Sequence, residues 1–482
     1  MIAFVSHNMA PLMFAGLILF MLYGYPAAFS LAAVGLLFGF LGVELGLIHP
    51  SFLGNIIYQL ESVLGNDLLL AIPFFTLMGA VLERCGLAED LLEGFGQLFG
   101  GVRGGLSYAV VLVGAVLGAI TGTVAASVIA MGLIALPIMM KYNYNIRHAT
   151  GVIAASGTIT QLIPPSLVLV VLADQLGKPV GEMYKGAMGA SAVQVLLFMA
   201  WVLILSIIRP DFVPALPPEA RTLRGWELAK RCIRGMVPSL ALIFIVLGTI
   251  FMGLATATEA GAMGVIGAFV LAWFNRRLSR VLVWQGMQTT MRITAMVIFI
   301  LIGARVFSLV FQGVGGKEWI EGMLTGLPGG TVGFLVFVNV FVFIIAFFLD
   351  FFEIAFIIVP LLAPVAQALG IDLIWFGVLL GANMQTSFMH PPFGFALFYL
   401  RGIAPPQIKS SDIYWGAIPW VVLQVMMVAI LIAFPQLVTA LLDSEVTVDP
   451  NIEITIPGTD DGNDLTSPPV IDLNQPPLIE NN

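Results

Sequence analysis

The sequence predicts an all-α polytopic membrane protein made of two inverted-topology repeats. Each repeat holds a re-entrant hairpin and a helix broken at a proline pair. Three observations carry this expectation. The 482 residues are 59% hydrophobic and only 10% charged, whereas soluble proteins average about 25% charged residues. Apolar runs long enough to cross a bilayer recur from Met9 to about Ala440. "TQLIPPSLVL" from Thr160 is echoed by "TSFMHPPFGFAL" from Thr386. Proline removes a backbone donor and clashes with the preceding turn, and lipid tolerates a broken helix only where protein covers it or it lines a cavity. Two further matches follow the same order. "GYPAAFSLAAVGLLFGFL" from Gly24 resembles "GLATATEAGAMGVIGAFVL" from Gly253, and Pro137 after "MGLIAL" resembles Pro360 after "FIIV". Ordered matches at a nearly constant offset of roughly 225 residues read as an internal duplication.

The elements follow in order. Residues 1–8 form an external N-terminus, and no basic n-region or A-x-A site marks a cleavable signal peptide. The first repeat, 9–208, opens with two short crossings near 9–23 and 26–43. "SFLGNIIYQLESVL" is too polar to span and suits the interface. A crossing at 66–83 and a second amphipathic arm, "LAEDLLEGFGQLFG", lead to a hairpin at about 104–140, a broken helix at about 147–176 and a last crossing. An Arg-rich cytoplasmic linker, 209–235, precedes the second repeat, 236–440, in which the same parts are expected. Its hairpin falls at about 330–369 and its broken helix at about 372–401. The tail, 441–482, reads as disordered: from Asp443 it holds nine acids and no Lys or Arg. Without it the chain is nearly neutral, with 20 basic residues against 19 acids.

Charge placement supports the inversion. Five crossings per half send the second half into the membrane from the opposite face. With the linker inside, sixteen of the 20 Lys and Arg face inward, Lys178, Lys185 and Lys317 face outward, and Arg305 lies within a crossing. That is the positive-inside bias, and it places both termini in the periplasm. Inverted repeats with discontinuous helices are a transporter signature, with ions and substrate near the midplane. Breaks free carbonyls for cations, and helix N-termini face anions.

The first tip, "GAITGTVAAS", offers Thr121, Thr123 and Ser127. The first break, "ASGTITQLIPPS", offers Ser156, Gly157, Thr158, Thr160, Gln161 and the carbonyls before Pro164. Hard cations prefer oxygen donors. Packing by small residues is the alternative for any one of them. At the second tip, "FFLDFFEIAF" places Asp350 and Glu353 among aromatics, and an intramembrane carboxylate is a functional hypothesis by default. A structural pair with Arg305 is the alternative. The facing break adds Asn383, Gln385, Thr386, Ser387 and His390, the last either titrating or structural. Arg305 either receives a carboxylate substrate, snorkels, or pairs with Asp350. Cys85 and Cys232 give no disulfide framework, and the four histidines give no metal cluster. An enzyme is disfavoured, since no catalytic pair stands at a recognisable spacing. ATP drive is disfavoured by the lack of a Walker motif, and a channel by the lack of a pore-ring motif.

"GAITGTVAASVIAMGLIALP", "GVIAASGTITQLIPPS" and "PPFGFALFYLRGIAP" together resemble the large membrane subunit, DctM type, of tripartite ATP-independent periplasmic (TRAP) transporters, over about residues 9–440. "LDFFEIAFIIVP" and "MHPPFGFALFYLRG" resemble the branch labelled mannitol/chloroaromatic compound transport. The resemblance implies sodium-driven symport at the inner membrane by an elevator motion. It also implies a small four-helix membrane subunit (DctQ type), a periplasmic binding protein (DctP type) and a small organic acid as substrate. It implies sodium ligands at Thr121, Thr123, Gly157 and Pro164, and at Asp350, Asn383, Thr386 and Pro391. Ser127, Thr160, Gln161, Gln385 and Arg305 are expected substrate contacts on the chemistry of their side chains. His390 and Phe393 depart from the frequent Thr-Pro-Pro-Val-Gly pattern of the family. A stand-alone sodium-coupled organic anion carrier of the same superfamily is the rival reading.

Overall fold

The computed structural model describes residues 2–222, 225–391 and 394–442, apart from the side chains of Ile2, Ala3, Thr121 and Thr325. The acidic tail from Asp443 lies outside these residues, as do Arg224 of the linker and Phe393. Every regular element among the described residues is helical. Among the described residues eight helices are long and apolar enough to cross a membrane, including Ala27–Glu44, Val180–Ile208, Arg280–Gly313 and Ser410–Ala433. Pro50–Leu64 and Asp67–Glu83, bent by 47°, make a ninth span if taken together.

That bend is where the sequence places an arm and a crossing. Asn66 accepts a hydrogen bond from the Leu68 N–H at 2.9 Å, starting a new helical segment after Gly65. The second half differs from the expectation of identical parts. Its arm and crossing are fused into one uninterrupted helix, Arg280–Gly313, because "TTMRITAMVIF" carries no breaker. The linker is also shorter than expected, since the next helix begins at Gly225.

The hairpins follow from backbone geometry. The first is Gly105–Thr121 and Val124–Lys141, turned at Gly122, whose φ of 61° is left-handed and suits glycine. Both of its ends are gathered by the linker. The Gly104 N–H donates to the Val213 carbonyl at 2.8 Å, and the Asn145 N–H, just past Lys141, donates to Phe212 at 3.0 Å. The chain therefore enters and returns at one end of the bundle. Its inbound arm runs parallel to the broken helix that follows, Ile146–Thr158 and Leu167–Leu176. Ser107 meets His148 at 2.8 Å, and a Cβ on Gly118 would stand 2.8 Å from the Thr160 Cα. Glycine there permits the close approach.

The second half repeats the scheme with Gly330–Ile345 and Phe351–Ala368, then Leu373–Met384 and Phe395–Ile403. Phe334 stacks with Phe376 at 6.1 Å, and Asn383 Nδ2 donates to Asn339 at 2.7 Å (main chain) and 3.0 Å (side chain). The caps fall in register with the prolines. Thr123 and Asp350 begin the two return arms, and Asn145 and Asp372 begin the two broken helices. Each pair shares the 227-residue separation of Pro164 and Pro391. Leu176 and Met183 pack at Gly377, and Leu172 and Leu169 pack at Gly381. The two broken helices thus run antiparallel where they meet.

Candidate functional site

The backbone at each tip positions the chemistry. Thr123 occupies the cap of the first return arm without its hydroxyl bonding back to the helix. Asp350 caps the second return arm through Oδ1, which accepts the Glu353 N–H at 2.9 Å. The Glu353 carboxylate in turn accepts the Asp350 N–H at 2.9 Å. This reciprocal capping box fixes the Asp350 side chain at the tip and commits one Glu353 oxygen to the backbone. A π-helical turn, Ile354–Ile358, follows directly, a departure that accompanies functional sites in many helices.

Both tips and both breaks open on one cavity of about 210 Å³. Thr123 comes from the first tip, Gln161 from the first break and Asp350 from the second tip. Phe388 and Tyr399 flank the second break. Ile293 and Met296 of Arg280–Gly313 close another wall. Asp350 is the one formally charged group among the described lining residues, and no Lys, Arg or His appears there. Small ligand sites are built in this way, from apolar and aromatic walls with a few placed polar groups.

The breaks hold buried polar atoms without partners among the described residues. Among them are Ser156 Oγ, Thr160 Oγ1 and Gln161 Oε1 at the first break, and both amide atoms of Gln385 at the second. Native interiors leave few such atoms, and each calls for a partner such as an ion or water. Other candidates are engaged. Ser166 Oγ donates to the Gln161 carbonyl at 2.6 Å, Thr386 Oγ1 to the Asn383 carbonyl at 2.8 Å, and Gln424 Nε2 to Thr158 Oγ1 at 2.8 Å.

The expected site residues therefore separate. Thr123, Gln161 and Asp350 meet at the cavity. Ser127 is fully buried one turn into the first return arm, and Gly157 packs on Val128 of that arm. Pro164 and Pro391 stand at the breaks behind the lining, together with Thr160, Asn383, Gln385 and Thr386. The side chain of Thr121 is outside the described atoms. Arg305 is not among the lining residues. It lies nine residues beyond Met296, about 14 Å along the helix, and among the described ion pairs it has none with Asp350. Its Nε is buried without a partner among the described residues. His390 is stacked on Phe347 at 4.0 Å and lies edge-on to Phe343 at 4.5 Å, packed beside the break rather than at the cavity wall. Sequence reasoning missed Tyr399, Phe351, Phe352, Ile293 and Met296. Tyr399 carried a signal, as a phenol within the "PPFGFALFYLRG" stretch; the others are apolar residues in an apolar chain and carried none.

Comparison with known proteins agrees with this architecture. Residues 14–437 match the family described as "Tripartite ATP-independent periplasmic transporter, DctM component". The C4-dicarboxylate TRAP transporter large permease protein DctM of Pseudomonas aeruginosa is 31% identical, over 82% of this chain and 91% of that protein. Its counterpart in Vibrio cholerae is 29% identical, over 85% and 92%. The sialic acid TRAP transporter large permease protein SiaM of Vibrio cholerae is 26% identical, over 86% and 93%. Among solved structures, the YdaH transporter of Alcanivorax borkumensis superposes with a TM-score of 0.56 over 82% of this chain and 89% of that one. At 13% identity this is a likeness of fold alone. The relatives are named transporter permeases, so the protein is a multi-pass membrane transporter component and not an enzyme. The chain belongs to the DctM component family of tripartite ATP-independent periplasmic transporters.

Proposed function

We propose that this chain is the large transmembrane subunit of a sodium-coupled secondary transporter importing a small organic acid. The observation that carries this reading is the shared cavity, with its single carboxylate and no cationic side chain among the described lining residues. An anionic substrate placed about 4 Å from Asp350 would meet a repulsion of about 4 kcal/mol at an effective dielectric of 20. Cations held at the tips and breaks remove that repulsion, so the anion binds well only after sodium. That order of binding is the physical basis of symport. The orphaned oxygens of Ser156, Thr160 and Gln161 are suited to serve at the first site. Asp350, with Asn383, Thr386 and the carbonyl of Pro391, serves at the second.

The antiparallel meeting of the broken helices and the matching caps support two inverted repeats, the first hairpin opening to the cytoplasm and the second to the periplasm. In this reading both termini are periplasmic in the inner membrane. The hairpins and broken helices move as one elevator unit against the arms. A DctQ-type small subunit and a DctP-type binding protein complete the assembly, and the binding protein sets the choice of cargo. Relatives are named for C4-dicarboxylates, sialic acid and 2,3-diketo-L-gulonate, all of them acids.

The test is reconstitution in liposomes with the cognate small subunit and binding protein, under imposed ion gradients. Uptake should require an inward sodium gradient and the binding protein. Uptake driven by a proton gradient without sodium would overturn the coupling. Full uptake by the chain alone would favour the stand-alone carrier.

A further inference from the structure

Away from the transport cavity, a second cavity of about 290 Å³ opens where the linker meets three helices. Asn145 and Arg147 come from the start of Ile146–Thr158, Trp201 from the end of Val180–Ile208, and Phe212 from the linker. Trp415 and Trp420 come from the start of Ser410–Ala433. Arg147 is more than half exposed and is held at the mouth by Asp412, Nε to Oδ1 at 3.1 Å. That bond uses Nε and leaves both terminal NH2 groups of the guanidinium as donors. From Trp415 an apolar strip, Ile418, Val422 and Val425, continues exposed along the helix toward its middle. The combination is a cationic fork at the mouth, Trp415 and Trp201 at the rim, the buried Trp420 beneath them and an exposed aliphatic track leading away.

We propose that this groove binds a membrane glycerophospholipid, with its phosphodiester on Arg147, its glycerol region among Trp201, Trp415 and Trp420, and one acyl chain along Ile418, Val422 and Val425. Each part matches a distinct chemistry. The planar guanidinium engages two phosphate oxygens at once. Tryptophan favours the headgroup level of a bilayer, and basic pockets between membrane helices recognise lipid headgroups. The cavity is not lined by hairpin tips or by the residues behind the breaks, so this proposal stands independently of sodium coupling.

Native mass spectrometry of the full chain, purified in detergent and then supplied with phosphatidylethanolamine or phosphatidylglycerol, tests it. The wild type should retain one phospholipid through detergent exchange. Arg147→Gln should reduce retention about tenfold or more, the loss of a charge-assisted contact. Trp201→Ala should also reduce it. Asp412→Asn removes the ion pair and keeps the guanidinium, so retention should persist. Equal loss from Arg147→Gln and Asp412→Asn would make the ion pair a purely structural contact and overturn the proposal. So would retention unchanged in Arg147→Gln, or no phospholipid bound by the wild type.

Discussion

Replacing Asp350 by asparagine separates two roles that one carboxylate performs. Oδ1 caps the second return arm by accepting the Glu353 N–H at 2.9 Å. Asparagine is as good a cap as aspartate, so the arm should keep its geometry and its stability within a few tenths of a kcal/mol. The charge is a different matter. At the cavity it is the one formal charge among the described lining residues, and its attraction for a sodium ion about 4 Å away is about 4 kcal/mol at an effective dielectric of 20. Allowing for side-chain relaxation and the dipole that the amide retains, roughly 2–4 kcal/mol is lost, a factor of roughly 30 to 1,000 in sodium affinity. The assay is uptake into proteoliposomes as a function of sodium concentration, with thermal unfolding measured in parallel. Asp350→Asn should shift the half-saturating sodium concentration upward by that factor while Tm barely moves. Asp350→Ala should show the same sodium defect and in addition lose about 1 kcal/mol of cap stability. Wild-type sodium dependence in Asp350→Asn would refute the reasoning and return the carboxylate to a capping role.

Other consequences follow from the same geometry. Gly118→Ala places a methyl group 2.8 Å from the Thr160 Cα, where backbone must move. A loss of about 1–3 kcal/mol and impaired uptake are expected, read by thermal unfolding and transport together. Asn383→Leu removes both bonds to Asn339 and strands a buried acceptor, costing about 1–3 kcal/mol. The same measurement on Asn383→Asp tells packing from bonding. Arg231→Gln breaks pairs with Asp90 at 3.0 Å and Glu93 at 2.5 Å, but the three side chains are more than a third exposed. A change below about 1 kcal/mol, shrinking further in high salt, is therefore expected in denaturation at two ionic strengths.

The parts legible in the sequence are those written in residues with one conformational use. Proline pairs at Pro164 and Pro391, glycine at the first tip and an aspartate inside a phenylalanine run each have a local physical meaning, and each stands where a helix breaks or turns. The 227-residue spacing runs deeper in the structure than the proline pairs alone convey, because Thr123 with Asp350 and Asn145 with Asp372 stand at equivalent helix starts. Less legible was the fusion of arm and crossing in Arg280–Gly313, which depends on the absence of a breaker rather than on a motif. Least legible were the cavity walls. Ile293 and Met296 reach the site only because a helix more than fifty residues before Asp350 packs against the second tip, a long-range contact that local patterning does not encode. For Arg305 the reasoning from residue type alone, a lone cation in a crossing, did not bring it to the cavity. Position along the helix decides that, and it lies about two and a half turns beyond the lining.

The central claim is that both hairpin tips and both helix breaks build one cation-dependent site. Experimental density maps of the purified chain in sodium and in potassium address it most directly. The account requires a peak bounded by Asp350 and the second break, and another among the oxygens of the first break, present in sodium and weak or missing in potassium. Identical maps with neither peak, or Asp350 neutralised by a basic side chain of the protein itself, would contradict it.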